Sequence, residues 1–298
     1  MFRYTVLVFG LSVIVLAGAM FVELARNSHL AWKEFGWKFL VTSTWDPVQE
    51  VYGALPFIFG TLVSSALALL MAIPLGVGSA IFLAELAPRK LSNACTFLIE
   101  LLAAIPSVIL GLMGIFVLVP FVSKLEPVFI KYLGWLPLFS GAPYGVGLFT
   151  AALVLTIMIL PYITSISRDV ILSVPTPLKE AAFGMGATHW EVVRLVTLPF
   201  SRAGIMGSIF LALGRALGET MAVTMVIGNV PKISASLFDP SYTMAAVIAN
   251  EFAEATSDLY VHSLIAIALT LFCITVVVNG LARLLIYRMG AGPARRAS

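Results

Sequence analysis

Six long apolar runs dominate this sequence, and each is long enough to cross a lipid bilayer as a helix. A spanning helix needs about 20 apolar residues, because each residue adds about 1.5 Å across an apolar layer about 30 Å thick. Apolar residues make up 60% of the chain and charged residues 11%, whereas about a quarter of a water-soluble domain is charged. The sequence therefore predicts an all-α polytopic membrane protein. The expected spans are residues 4–22, 55–84, 95–122, 146–166, 203–230 and 259–286.

The chain divides into three predicted parts along its length. Residues 1–53 hold the first span and an outer amphipathic segment, residues 54–290 form one membrane core, and residues 291–298 form a basic tail. The first apolar run is longer than the about 7–15 residues of a signal-peptide core, so we expect an uncleaved helix. Pro74 and Pro106 lie inside predicted spans, and we expect kinks or breaks there because proline lacks a backbone donor.

The distribution of Lys and Arg predicts how the chain is oriented. With six spans both termini lie on one side, and the side richer in Lys and Arg is normally the cytoplasm. One side collects Arg3, Arg89, Lys90, Arg168, Lys179, Arg194, Arg202, Arg283, Arg288, Arg295 and Arg296. The other side collects Arg26, Lys33, Lys38, Lys124, Lys131 and Lys232. We therefore expect both termini and residues 167–202 in the cytoplasm, and residues 26–53 and 231–258 outside.

A polar segment at residues 180–199 separates the fourth and fifth spans. It reads Glu-Ala-Ala, three residues, Gly, nine residues, then Val-x-Leu-Pro. The spacing resembles the EAA loop of bacterial ABC-importer permeases, with Val196 in place of isoleucine. That resemblance implies a short cytoplasmic helix that binds in a cleft of a separate ATPase subunit. The residues on the pattern are Glu180, Ala181, Ala182, Gly186, Leu198 and Pro199.

Charged residues inside the predicted spans are the candidates for binding a transported solute. Arg215 and Glu219 are four residues apart in the fifth predicted span, so a helix would place them on one face. A charge near the bilayer centre costs about 2.5–3.5 kcal/mol on insertion scales, which favours a functional role. A guanidinium offers paired donors suited to an oxyanion. The alternative is a mutually neutralising ion pair. Glu100, in the third predicted span, is a further candidate for the path.

The sequence lacks the motifs of an enzyme or a metal site. No Gly-rich turn is followed by Gly-Lys-Ser/Thr, so we do not expect this chain to bind ATP catalytically. The three histidines and the cysteines Cys95 and Cys273 have no metal-ligand spacing, and no catalytic cluster is evident. The net charge of +3 is small and gives no reason to expect nucleic-acid binding. No metal and no cofactor are expected in this chain.

Three further segments resemble one family of importer permeases. Residues 100–112, 214–229 and 240–255 are similar to PstC-type permeases of phosphate importers. This resemblance implies a type I ABC-importer (MetI-like) fold in a bacterial inner membrane. It also implies a PstA-type second permease, two ATPase subunits that bind ATP-Mg, and an extracytoplasmic phosphate-binding protein. Besides lipid, the implied partners include a sensor-kinase regulatory system.

Two alternatives to phosphate import stay open at this point. The same loop and fold serve other anions, so sulfate or molybdate could be the solute, although residues 214–220 favour phosphate. Alternatively, the chain could be a membrane scaffold that reports phosphate status to a sensor kinase. A scaffold has no need of charged residues in the middle of a span.

Overall fold

The computed structural model describes residues 2–290, and apart from one small hairpin its regular structure is helical. The predicted basic tail at residues 291–298 lies outside the described residues. The α-helices are α1 (Phe2–Asn27), α2 (His29–Phe35), α3 (Lys38–Val41), α4 (Leu55–Ile81), α5 (Arg89–Ala104), α6 (Ser107–Met113), α7 (Val119–Leu133), α8 (Leu148–Leu172), α9 (Thr176–Gly184), α10 (His189–Val192), α11 (Leu198–Leu217), α12 (Met221–Thr224), α13 (Met244–Glu251) and α14 (Asp258–Gly290).

Short irregular segments complete these elements. Turns of π-helix extend or join neighbouring α-helices at Phe82–Leu86, Gly114–Leu118 and Val193–Thr197. One turn of 3₁₀-helix covers Pro137–Phe139. The antiparallel strands β1 (Trp45–Asp46) and β2 (Val51–Tyr52) form the hairpin, with Trp45 opposite Tyr52.

Six of the described helical segments are long and apolar enough to cross a membrane, as predicted. Because an isolated helix satisfies its own backbone hydrogen bonds, it can cross an apolar layer that offers none. The spans are Arg3–Asn27, Leu55–Leu86, Ser107–Leu133, Leu148–Leu172, His189–Leu217 and Asp258–Arg288. The division of the chain at residue 53 stays a prediction.

The third span begins later than predicted, so the expectation of residues 95–122 was wrong in its bounds. Ile105 and Pro106 have ψ angles of 127° and 137°, which breaks the chain between α5 and α6. Proline disfavours helical backbone at the residue before it, so the expected break at Pro106 does occur. Helix α5 is therefore separate from the span that starts at Ser107. Pro74, in contrast, lies inside α4, which continues to Ile81.

The fifth span is also displaced from its predicted position at residues 203–230. It starts at His189, passes through the π-helical turn Val193–Thr197, and ends at Leu217. Gly218 has ψ of 0° and the chain continues through the one-turn helix α12. Residues 218–230, which were predicted to belong to the fifth span, are therefore not part of a helix that crosses the bilayer.

The core lies where α4, α8 and α11 pack against one another. Small residues allow close approach: a Cβ on Gly76 of α4 would lie 2.8 Å from Ile163, and one on Gly204 of α11 would lie 2.5 Å from Val170. Both neighbours belong to α8. Small residues at helix contacts are typical of membrane proteins, in which dispersion forces drive helix association. Helix α8 is therefore the central element against which α4 and α11 are positioned.

A second core forms around the hairpin, at the N-terminal ends of α4 and α14. Trp45 packs against Phe57 and Tyr260, and its Nε1 donates a 2.9 Å hydrogen bond to Oε2 of Glu251. Burial raises the pKa of Tyr242 to about 12, so this side chain stays neutral near pH 7. The cluster fixes the hairpin and α13 against the N-terminal ends of α4 and α14.

Candidate coupling segment and membrane path

The segment at residues 180–199 divides into two short helices and the start of a span. Glu180, Ala181 and Ala182 lie in α9, and of these three only Ala182 is buried. Leu198 and Pro199 form the first turn of α11. Proline is favoured there because the first helical N–H groups have no partner in the helix. The motif therefore combines an exposed helix with the base of the fifth span.

Gly186 terminates α9 in a left-handed turn. Its φ is +86°, its N–H donates to the carbonyl of Phe183 at 2.9 Å, and the N–H of Ala187 donates to the carbonyl of Ala182 at 3.1 Å. These two bonds are those of a Schellman motif, in which glycine adopts the positive φ at lowest cost. The structure thus requires glycine here for backbone conformation. A Cβ at this position would meet no atom of this chain.

The turn that follows Gly186 is held by a capping box. Oε2 of Glu191 accepts from the backbone N–H of Thr188 at 2.7 Å, and the Thr188 hydroxyl accepts from the N–H of Glu191 at 3.4 Å. The His189 ring packs edge-on against Phe183, with centroids 4.9 Å apart. Reciprocal capping satisfies N–H groups that the helix leaves free. The loop between α9 and α10 is therefore a defined structure.

Large apolar side chains are exposed on α9, α10 and the loop between them. Met185 is 84% exposed, Trp190 60% and Phe183 40%. Phe183 and Met185 lie between the fourth and fifth spans, and Trp190 lies in the first turn of the fifth span. Exposed apolar side chains beside polar residues are candidates for an interaction surface.

A carboxylate that the sequence analysis missed connects this segment to the membrane core. Oε1 of Glu85 accepts from Nζ of Lys179 at 2.6 Å and from Oγ1 of Thr197 at 3.3 Å. Glu85 ends the second span, Lys179 is in α9, and Thr197 precedes α11. Pairs this far apart along the chain carry no periodic signal.

Arg215 lies in the last turn of α11, with its guanidinium against an aromatic ring. Its Cζ is 4.7 Å from the ring centre of Tyr162 on α8, within range of a cation–π interaction. Its Nε is buried and makes no hydrogen bond to the described residues. A buried donor without a partner costs free energy, so Arg215 stays a candidate for contact with a group outside this chain.

Glu219 does not share a helical face with Arg215, in contrast to the prediction. Helix α11 ends at Leu217, and Oε1 of Glu219 accepts a 3.1 Å hydrogen bond from the N–H of Ala222 at the start of α12. Among the described residues, ion pairs join Arg168 to Asp169, Lys179 to Glu85 and Lys232 to Asp239. None joins Arg215 to Glu219, so mutual neutralisation does not explain the arginine.

Glu100 lies on α5, outside the third span, because the break at Ile105 and Pro106 separates the two. Its side chain is exposed, and no hydrogen bond or ion pair among the described residues links it to Arg215 or Glu219. The structure therefore does not bring the three predicted path residues together within this chain.

Comparison of the sequence with known protein families shows which family the chain belongs to. The sequence model of the family described as "Binding-protein-dependent transport system inner membrane component" matches residues 72–291. The chain belongs to this family. Members are transmembrane components of transport systems, so this permease is a multi-pass inner-membrane protein that carries no catalytic site or cofactor of its own.

The alignments with near relatives of this permease cover almost the whole chain. A protein of Mesorhizobium japonicum is 50% identical over 97% of this chain and 90% of its own length. One of Haemophilus influenzae is 51% identical over 97% of this chain and 93% of its own. Both bear the name "Phosphate transport system permease protein PstC". The resemblance to PstC-type permeases is therefore confirmed.

Solved structures of more distant proteins have the same fold. A chain of a bacterial alginate ABC transporter is 16% identical, with a TM-score of 0.62 over 97% of this permease and 96% of that chain. A chain of the MetNI methionine ABC transporter is 18% identical, with a TM-score of 0.56 over 78% of this permease and 94% of that chain. The predicted MetI-like fold is confirmed.

Proposed function

We propose that this chain is the PstC-type permease subunit of an ATP-driven importer of inorganic phosphate. The observation that carries the proposal is the identity of about half of all residues to two PstC permeases over nearly the full length of each. The complex would contain a PstA-type second permease, two ATPase subunits that hold ATP-Mg, and an extracytoplasmic phosphate-binding protein. Both termini would lie in the cytoplasm, following the Lys and Arg distribution.

We assign energy coupling to α9 and the loop that follows it. The exposed side chains of Phe183, Met185 and Trp190 supply an apolar surface, and the Schellman turn at Gly186 holds it in one shape. A preformed surface loses little conformational entropy on docking. The ATPase subunits would bind this surface and move it when they close around ATP.

We assign solute contact to Arg215. Its Nε is buried without a hydrogen-bond partner among the described residues, and its guanidinium packs against the ring of Tyr162. A guanidinium binds a phosphate oxygen pair in a fork geometry that a sulfate or molybdate dianion also fits. Glu219 and Glu100 remain candidates for the path that this chain forms with the second permease. ATPase closure would shift the complex between inward-facing and outward-facing states as rigid bodies.

Reconstitution of the complete complex tests this function directly. The two permeases and the ATPase are placed in proteoliposomes, with the binding protein outside and ATP inside, and uptake of radiolabelled phosphate is measured. We expect ATP-dependent uptake that excess sulfate or molybdate does not reduce. Competition by either anion would assign the solute to that oxyanion. ATP hydrolysis without uptake of any of the three would favour the signalling scaffold.

A further inference from the structure

One carboxylate oxygen joins three cytoplasmic segments that are far apart in sequence. Glu85 lies in the π-helical turn Phe82–Leu86 that ends the second span. Its Oε1 binds Lys179, which directly precedes the Glu-Ala-Ala motif, and Thr197, which directly precedes the Leu-Pro pair of α11. The second span, α9 and the fifth span therefore meet at a single polar contact. We call Glu85, Lys179 and Thr197 the cytoplasmic clasp.

The clasp is shielded from water. The side chains of Lys179 and Glu85 are 18% and 15% exposed, and Thr197 is fully buried. Charges at an exposed surface are screened and attract each other weakly, whereas a shielded pair interacts more strongly. If one partner of such a pair is removed, the other charge is left without compensation. Each member of the clasp therefore depends on the others for its position.

The clasp differs from the other ion pairs of the described residues in what it connects. Arg168 and Asp169 are neighbours in one helix, and Lys232 and Asp239 lie in one outer loop. Glu85 and Lys179, in contrast, are 94 residues apart. The ion pair of the clasp thus holds separate segments of the fold together.

The clasp lies between the surface proposed for ATPase docking and the membrane core. Lys179 is on α9 next to Glu180, and Glu85 continues without interruption into α4, which packs along α8. Displacement of α9 therefore pulls on the end of α4 through Lys179 and on the base of α11 through Thr197. Coupling between distant sites requires such a contiguous chain of contacts between rigid elements.

We propose that Glu85 and Lys179 are positioning residues for energy coupling: they transmit movement of α9 to the second and fifth spans. This inference rests on the proposed docking of the ATPase on α9. The clasp binds no solute and no nucleotide. Its loss is expected to separate ATP hydrolysis from transport while the complex still assembles.

Charge removal and charge exchange test the clasp in the assembled complex. Glu85→Gln, Lys179→Met and the exchanged Glu85→Lys/Lys179→Glu variant are reconstituted in proteoliposomes with the ATPase. The readout is the ratio of ATP hydrolysis with phosphate-loaded binding protein to hydrolysis without it, measured per assembled complex. We expect each single variant to lower this ratio about tenfold, within the range of allosteric couplings. We expect the exchanged variant to recover most of it, because the attraction is restored with opposite polarity.

Exchange of Lys232 and Asp239 is the matched control, since that ion pair lies in an outer loop, and its ratio is expected to equal that of the unmodified complex. Single variants with lower complex yield but an unchanged ratio would show a purely structural contact and overturn the proposal. An exchanged variant whose ratio is no higher than that of the single variants would also overturn it.

The variant Gly186→Val is measured in the same assay, to separate failure of the clasp from failure of docking on α9. If Gly186→Val lowers the ratio while the clasp variants do not, the clasp alone is refuted. If none lowers it, docking on α9 is refuted as well.

Discussion

At the scale of single residues, Arg215 is the charged group whose surroundings differ most from the sequence expectation. The sequence placed Arg215 and Glu219 on one helical face, where each could neutralise the other. The end of α11 at Leu217 separates them, and Arg215 instead packs against Tyr162. A cation–π contact stabilises the guanidinium by about 0.5–2 kcal/mol but leaves its N–H donors free. The fold thus positions the guanidinium against Tyr162, and no ion pair of the described residues involves it.

This geometry predicts that Arg215→Gln gives an assembled complex with little phosphate uptake. Arg215→Lys should keep part of the uptake, since the charge remains while the paired donors are lost. Because no ion pair links Arg215 to Glu219, adding Glu219→Leu to Arg215→Gln should not rescue uptake or complex yield. Uptake and yield are measured side by side for all variants. Near-normal uptake in the double variant would exclude Arg215 from the path.

At the scale of secondary-structure elements, two proline and glycine positions decide where helices end. Pro106 ends α5 because the residue before a proline avoids helical backbone, and so it moves the start of the third span to Ser107. Gly186 ends α9 because it adopts a positive φ. The two positions thus separate α5 from the third span and α9 from the fifth span.

The turn at Gly186 predicts a graded response to substitution. Gly186→Val should abolish phosphate-stimulated ATP hydrolysis, because positive φ costs a non-glycine residue about 1–2 kcal/mol and a β-branched one more. Gly186→Asn should retain part of the activity, since asparagine tolerates this region of backbone conformation. Gly184→Ala is the matched control, because Gly184 is helical and a Cβ there meets no atom. A complex with Gly186→Val that hydrolyses ATP normally would contradict the role of this turn.

At the scale of the whole molecule, the six spans connect two faces of the chain that differ in structure. The aromatic cluster around Trp45 and Tyr260 fixes the face at the N-terminal ends of α4 and α14. The opposite face carries α9 and the cytoplasmic clasp. A permease that alternates between two states needs both faces to move as units, since rigid elements transmit displacement across the bilayer.

The orientation predicts opposite labelling of two exposed positions by a membrane-impermeant maleimide. With Cys95 and Cys273 replaced by serine, Val48→Cys should react in intact cells, since Val48 is 93% exposed and lies in the segment proposed to be outside. Met185→Cys, 84% exposed, should react only after the membrane is permeabilised. Labelling of both variants in permeabilised cells is the control. Reaction of Met185→Cys in intact cells would reverse the proposed orientation.

The sequence by itself determined the number of spans, the all-α class, the coupling motif and the family, because hydropathy and short spacings are local properties of the chain. Tertiary structure decided which polar groups meet. Glu85 and Lys179 are 94 residues apart, and the contact of Arg215 with Tyr162 joins two different helices. Nothing in either local pattern predicts such a pair, since both contacts arise only when packing of α4, α8 and α11 brings the helices within a few ångströms of one another.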